Sequence, residues 1–289
     1  MIRQFLPTIF LLICISLNAQ KKINIMEFTS GPDSIRTALK IPGMAVAVMQ
    51  EGAVIFEDGF GYSDLSRHQK VTTNTCFRIA SITKTFTSTL IMQLVEQGKL
   101  DLQTPKSKFG LDLGGRNITV KNLLTHTSEI EPGRYFQYSG YRYGKLGQVI
   151  EKASGIPFYQ LLMQNIVKPL SMTFTAPGLP ILDSLFDFDA YTKSHPEMLP
   201  FFENSFSHLA KAYNVNDKGE IVETHYPDEF GAFVVSSLGA LSTAFNESIC
   251  LSCEKISGTG ILKHKPSKSI CTDTFITLNY SYNLNPHCS

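Results

Sequence analysis

At 289 residues the chain is longer than the ~100–150 of an average domain, so length allows one or two domains with a substantial core. Apolar residues make up 43% and charged residues 18%, which excludes a disordered or collagen-like protein. With 26 Lys+Arg against 25 Asp+Glu there is no basic excess to bind phosphates, and no nucleic-acid partner is expected.

The first segment places Arg3 before an apolar run from Phe5 to Leu17 and then Leu17-Asn18-Ala19, the charged, greasy and small-residue parts of a signal peptide. A bilayer needs ~20 apolar residues, so this run is too short to span one. Residues 1–19 are read as a signal peptide cleaved near Ala19, with Cys14 in the removed part, and a short membrane anchor is the alternative. An exported protein, periplasmic or secreted and without a stable membrane span after cleavage, is expected.

Met44 to Gln50 and Ala53 to Gly59 are apolar runs joined by Glu51-Gly52, which predicts a β-hairpin. Next, Ile82, Phe86, Leu90 and Leu94 recur at four-residue steps with Ile91 and Val95 beside them, predicting a buried helix from about Ser81 with Gly98 as its stop. A short helix over 120–125 follows Thr119 as cap, and another runs from about Lys145 to Ser154 and stops at Gly155. Pro157 opens a further helix that Pro169 closes. Pro177 to Pro200 is aperiodic and proline-interrupted, Asn216-Asp217-Lys218-Gly219 reads as a turn between strands, and Phe233 to Ala244 fits strand or helix.

The chain has no G-x-S-x-G elbow, H-E-x-x-H, P-loop or G-x-G-x-x-G. What remains is Ser81-Ile82-Thr83-Lys84, an S-x-x-K where the buried helix begins. Three residues apart on a helix puts both side chains on one face. A serine hydroxyl is a poor nucleophile until a base takes its proton, and an amine one turn away supplies that base. The tetrapeptide alone is a weak signal: Ser252-Cys253-Glu254-Lys255 repeats it by coincidence, and Ser81 also reads as a plain N-cap.

Four ordered segments sharpen the reading: FRIASITK at 77–84 with the following LVEQGKLDLQTP, ITVKNLLTHTSEI at 118–130, and FQYSGYRYGKLGQVIEKASGIPF at 136–158, joined later by Ala210-Lys211-Ala212-Tyr213 and Leu241-Ser242-Thr243-Ala244. Over about residues 30–247 the chain resembles the serine β-lactamase and penicillin-binding-protein superfamily, nearest its branch of class C β-lactamases, D-alanyl-D-alanine carboxypeptidases and small-ester hydrolases. The resemblance implies an α+β fold of the β-lactamase/transpeptidase type: an antiparallel sheet of N-terminal hairpin and C-terminal strands, flanked by helices, with a helical region inserted. It implies Ser81 as acylated nucleophile, Lys84 as its helix partner and Tyr138, in Tyr138-Ser139-Gly140, as the tyrosine sharing the general-base role. It implies no cofactor and no metal, and a small-molecule ester, lactam or peptidoglycan-peptide substrate.

The departures from the family pattern carry information too. Gly140 stands where the pattern is often Tyr-x-Asn, which disfavours lactam or peptide amides and leaves ester cleavage open. His126, in Thr125-His126-Thr127-Ser128, is read as a hydrogen-bonded packing residue and not as a triad base, and Glu129 replaces a glycine usual in relatives. No Lys-Ser/Thr-Gly or His-x-Gly third motif occurs.

After about Glu247 the likeness ends. Residues 20–247 are read as an incomplete family domain lacking its last strands, and 248–289 as a dissimilar, disordered tail, truncated or frameshifted. For Cys250, Cys253, Cys271 and Cys288 unpaired thiols are the leading reading, with disulfides or zinc held with His264 and His287 as rivals. Two functions stand: an exported serine hydrolase working by acyl-enzyme transfer, or an inactive truncated pseudoenzyme.

Overall fold

Strand β1, Gly43–Gln50, is buried along nearly its whole length. Its sequence is apolar on both phases of the period-two pleat: Ala45 and Ala47 pack with Val71, Phe77 and Ala210, whereas Met44, Val46 and Val48 gather with Ile41, Ile55, Phe56 and Phe60. A strand covered on both faces belongs inside a sheet. Here β2 (Ala53–Asp64) pairs antiparallel on one side of it and β8 (Thr274–Tyr280) on the other, with β3 (Gln69–Lys70) beyond β2. This computed structural model describes residues 31–50, 53–115, 117–177, 188–224, 240–243, 246 and 274–280. The hairpin expected at 44–59 is present, and its turn residues 51 and 52 lie outside the described residues.

Strand β8 corrects one expectation. The composition of the tail predicts no regular structure there, yet 274–280 is a strand paired with β1, Met44 facing Tyr280 and Gln50 facing Thr274. The physical reason is compositional: Thr, Phe, Ile, Thr, Leu and Tyr in seven residues are strand formers, and β1 otherwise has an open edge. The signal-peptide region, the four late cysteines, the second S-x-x-K and most of Phe233 to Ala244 lie outside the described residues.

Before β1 lies helix α1 (Gly31–Ala38). From the sheet the chain passes through β4 (Phe77–Arg78), a 3-10 turn (Ala80–Ile82) and helix α2 (Thr83–Glu96). Phe86, Leu90, Ile91 and Leu94 form its buried stripe, as their spacing predicts. Gly98 ends it at φ +69°, a backbone that only glycine adopts cheaply.

Around α2 pack α3 (Val120–Leu124), α4 (Gly140–Gly144), α5 (Leu146–Ser154) and α6 (Phe158–Leu162), α6 continuing as a π turn over Met163–Val167. Their core includes Ile118, Leu123, Leu146, Ile150, Leu162 and Ile166, all fully buried. Thr119 caps α3 through a capping box with Asn122. The proline-interrupted stretch holds two helices, α7 (Phe188–Ser194) and α8 (Leu199–Ser207), the second with a proline in its first turn, where its missing N–H costs nothing. The expected turn at 216–219 joins β5 (Ala212–Val215) to β6 (Ile221–Thr224).

Leu90 lies in the buried stripe of α2, with no exposed surface. Leu90→Ala is expected to cost about 2–5 kcal/mol, from lost transfer energy plus the cavity left behind. Urea unfolding followed by circular dichroism measures it.

Candidate active site

Two segments seat the start of α2. Strand β7 (Leu241–Ser242) pairs antiparallel with β4, and the Ala240 N–H donates to the buried Thr83 hydroxyl at 3.1 Å. Beneath them Thr175, Ser242 and Asn246 form a buried chain of hydrogen bonds, 2.8 Å from Thr175 Oγ1 to Ser242 Oγ and 3.2 Å from Asn246 Nδ2 to Thr175 Oγ1. Ala80 takes a left-handed φ of +43°, costly for a residue with a Cβ, and sets Ser81 in the tight turn ahead of the helix.

Ser81 is not an N-cap. No side-chain cap bond exists at this helix start, and the hydroxyl goes to other partners. Ser81 Oγ lies 2.7 Å from the Tyr138 hydroxyl and receives a hydrogen bond from Lys84 Nζ at 3.0 Å. Lys84 is buried, and its Nζ stands 5.0 Å from the centre of the Tyr138 ring and 5.6 Å from that of Tyr143. The three residues singled out from sequence therefore meet at hydrogen-bond distance.

The two tyrosines are pushed in opposite directions. Burial raises the Tyr138 phenol, but hydrogen bonds from Lys84 and Ser81 and the Lys84 charge outweigh it and hold that phenol below 10. Burial drives Tyr143 up to about 12, against a lowering hydrogen bond to Ser88, and its hydroxyl donates to the Lys84 carbonyl at 3.0 Å. Tyr138 is thus the one inclined to ionise, and Tyr143 stays a neutral support.

Gly140 opens α4, and a Cβ built there meets nothing within 4 Å. Packing does not demand glycine at this position. His126 is engaged with the tyrosine loop: its Nδ1 accepts the Ser139 N–H at 3.2 Å and its ring stacks on Tyr138 and Tyr143.

Sequence reading missed the support from Arg142. Its guanidinium pairs with Glu129 at 3.0 Å and donates to the carbonyls of Ser128 at 2.8 Å and Gly114 at 3.3 Å, tying two loops to α4 beside Tyr138. Glu129 in place of the usual glycine was the available signal. Among the described residues no group of three His, Cys, Asp or Glu side chains is arranged to hold a metal, and no helix is long and apolar enough to cross a membrane. Cys76 is buried, donates to the Phe174 carbonyl at 3.2 Å and has its thiol pushed up to about 12 by burial, which leaves it inert.

A Ser, Lys and Tyr meeting at the head of a buried helix beside an antiparallel sheet define a protein of the β-lactamase/transpeptidase class. The β-lactamase family model matches residues 33–201, and the chain belongs to that family. It is 30% identical over 173 residues to protein flp of Staphylococcus aureus (strain NCTC 8325 / PS 47), covering 47% of this chain and 35% of that one. To a β-lactamase of Escherichia coli (strain K12) it is 29% identical over 170 residues, 49% of this chain and 45% of that one. The chain thus matches less than half the length of either relative.

Among solved structures the fold is similar to an octameric penicillin-binding-protein homologue from Pyrococcus abyssi (TM-score 0.65, 23% identity, covering 81% of this chain and 57% of that one). It is likewise similar to EstCE1, a hydrolase with promiscuous acyltransferase activity (TM-score 0.60, 20% identity, 77% and 70%).

Proposed function

We propose that this chain is an exported serine hydrolase that acts through an acyl-enzyme on small esters in preference to lactams or D-amino-acid peptides. The observation that carries the proposal is the placement of Ser81 Oγ 2.7 Å from the Tyr138 hydroxyl and 3.0 Å from Lys84 Nζ.

The Ser81 hydroxyl gives its proton to the Tyr138 oxygen, whose anionic form the Lys84 charge favours, as Oγ bonds to the ester carbonyl carbon. The Ser81 backbone N–H is half of the oxyanion hole for the tetrahedral oxygen. Collapse breaks the bond to the alkoxy group, which leaves as alcohol with the proton from Tyr138. Water then attacks the acyl-serine by the same route and releases the acid. Gly140 supplies no amide to hold a peptide-like side chain, which favours esters. Export is inferred from the Arg3 to Ala19 pattern.

A second reading, an inactive chain, is favoured by one observation: no Lys-Ser/Thr-Gly or His-x-Gly occurs in the sequence to supply the other oxyanion donor. Losing one such donor costs ~10²–10³ in rate. Incubation with a p-nitrophenyl ester and with a fluorescent penicillin, followed by mass mapping of the adduct, separates the two. The hydrolase reading expects ester turnover and an acyl group on the peptide containing Ser81. Absence of both leaves the inactive reading.

A further inference from the structure

We propose that His126 is the positioning residue that holds Tyr138 against Ser81, and that it does so only as the neutral imidazole protonated on Nε2. The proposal rests on the hydrolase reading for its kinetic consequence, not for its geometry. The residues on both sides of Tyr138 are bonded to this one residue: the Gln137 N–H donates to the His126 carbonyl at 2.7 Å, and the Ser139 N–H donates to His126 Nδ1 at 3.2 Å. The ring also stacks on Tyr138, centroids 4.6 Å apart at 28°, and on Tyr143, 5.0 Å apart at 24°, with Phe136 edge-on at 5.8 Å. His126 itself sits at φ +54°, a left-handed backbone uncommon for a residue with a Cβ. A side chain that merely filled space would need neither that backbone nor an acceptor aimed at the Ser139 amide.

Accepting at Nδ1 fixes the neutral tautomer, because the ring's single proton must then be on Nε2. A second proton would set an Nδ1–H against the Ser139 N–H, donor against donor, and bring another positive charge toward Lys84. The titratable groups around the ring are Lys84 from α2, Tyr138 and Tyr143, and among the described residues no carboxylate pairs with it. Burial first and the Lys84 charge second hold its pKa below the ordinary 6.5. The sign follows: the neutral, working form is complete above 6.5, and it is lost as pH falls through the lowered value of the folded protein.

The test is the pH profile of p-nitrophenyl acetate turnover for wild type, His126→Asn and His126→Phe. In wild type, log(kcat/KM) falls toward acid with a slope of about one once the first of Tyr138 and His126 takes its proton, and steepens to about two once both have. Asparagine offers an acceptor near the place of Nδ1 but does not titrate, so H126N keeps the first limb, loses the steepening and stays within about tenfold of wild type at neutral pH. Phenylalanine keeps a ring without the acceptor. H126F is expected to lose about 10²-fold in kcat at every pH, with KM changed by less than about threefold, the scale of a misplaced catalytic group.

A readout independent of turnover is the ultraviolet absorbance of tyrosinate. The low-pH component that disappears in Tyr138→Phe moves to higher pH in H126F. Unchanged steepening in H126N, or wild-type kcat in H126F, overturns the proposal. If the wild type turns over nothing, the hydrolase reading fails, and an unmoved tyrosinate component in H126F is then what overturns the role of His126. If H126F does not fold, the slope of H126N decides.

Discussion

Replacing Ser81 with alanine is expected to remove ester turnover and the covalent adduct together, a fall on the order of 10⁶ in kcat if the oxyanion donors alone remain. The hydroxyls of Thr83 and Thr85, next along the helix start, are both engaged elsewhere. Thr83 is buried and accepts the Ala240 N–H, and the Thr85 hydroxyl donates back to the Ile82 carbonyl at 2.8 Å. The variant should fold as well as wild type, because the Ser81 side chain caps no helix. Equal urea midpoints with no adduct on the peptide 77–94 support the assignment. Undiminished turnover in Ser81→Ala would place the nucleophile elsewhere.

Tyr138→Phe is expected to lower kcat by ~10²–10⁴, the usual worth of a positioned general base, with little change in KM. Phenylalanine keeps the ring against His126 and Lys84 and deletes only the oxygen 2.7 Å from Ser81 Oγ. Tyr143→Phe is the control. That hydroxyl serves the Lys84 carbonyl and stays protonated with a pKa near 12, so its loss should reach activity only through the seating of Lys84. Steady-state kinetics on the pair checks the contrast: a larger kcat loss in Tyr143→Phe than in Tyr138→Phe would reverse the roles of the two rings.

Much of this site was legible because its parts are local. The four-residue recurrence of Ile82, Phe86, Leu90 and Leu94 foretells α2, and glycines at 98 and 155 foretell where α2 and α5 end, each at positive φ. The S-x-x-K spacing puts Ser81 and Lys84 on one face because the helix requires it, and the structure brings them to 3.0 Å. The approach of Tyr138 was readable only by resemblance, since no periodicity relates it to residue 81.

What stayed hidden depends on partners far apart in sequence. His126 looks like a packing residue until the amides of Gln137 and Ser139 are seen to end on it. Glu129 looks like a damaged turn until Arg142 closes on it. Helices α7 and α8 stay hidden because proline inside a helix breaks it, although Pro200 sits in a first turn where it is tolerated. Strand β8 stays hidden because its partner β1 lies at a distant place in the sequence.

The pairing of β8 with β1 has a consequence for how the protein is made. Strand β1 pairs with β2, its neighbour in sequence, but its other hydrogen-bonding edge waits for β8, which begins only at Thr274. Loop-closure entropy makes such a contact slow, and domains emerge at only ~5–20 residues per second. Throughout that interval the most apolar strand of the sheet presents unpaired N–H and C=O groups, the template on which one nascent chain joins another. Assembly of the sheet is therefore most exposed to aggregation, and most in need of a chaperone holding the edge of β1, until β8 has paired with it.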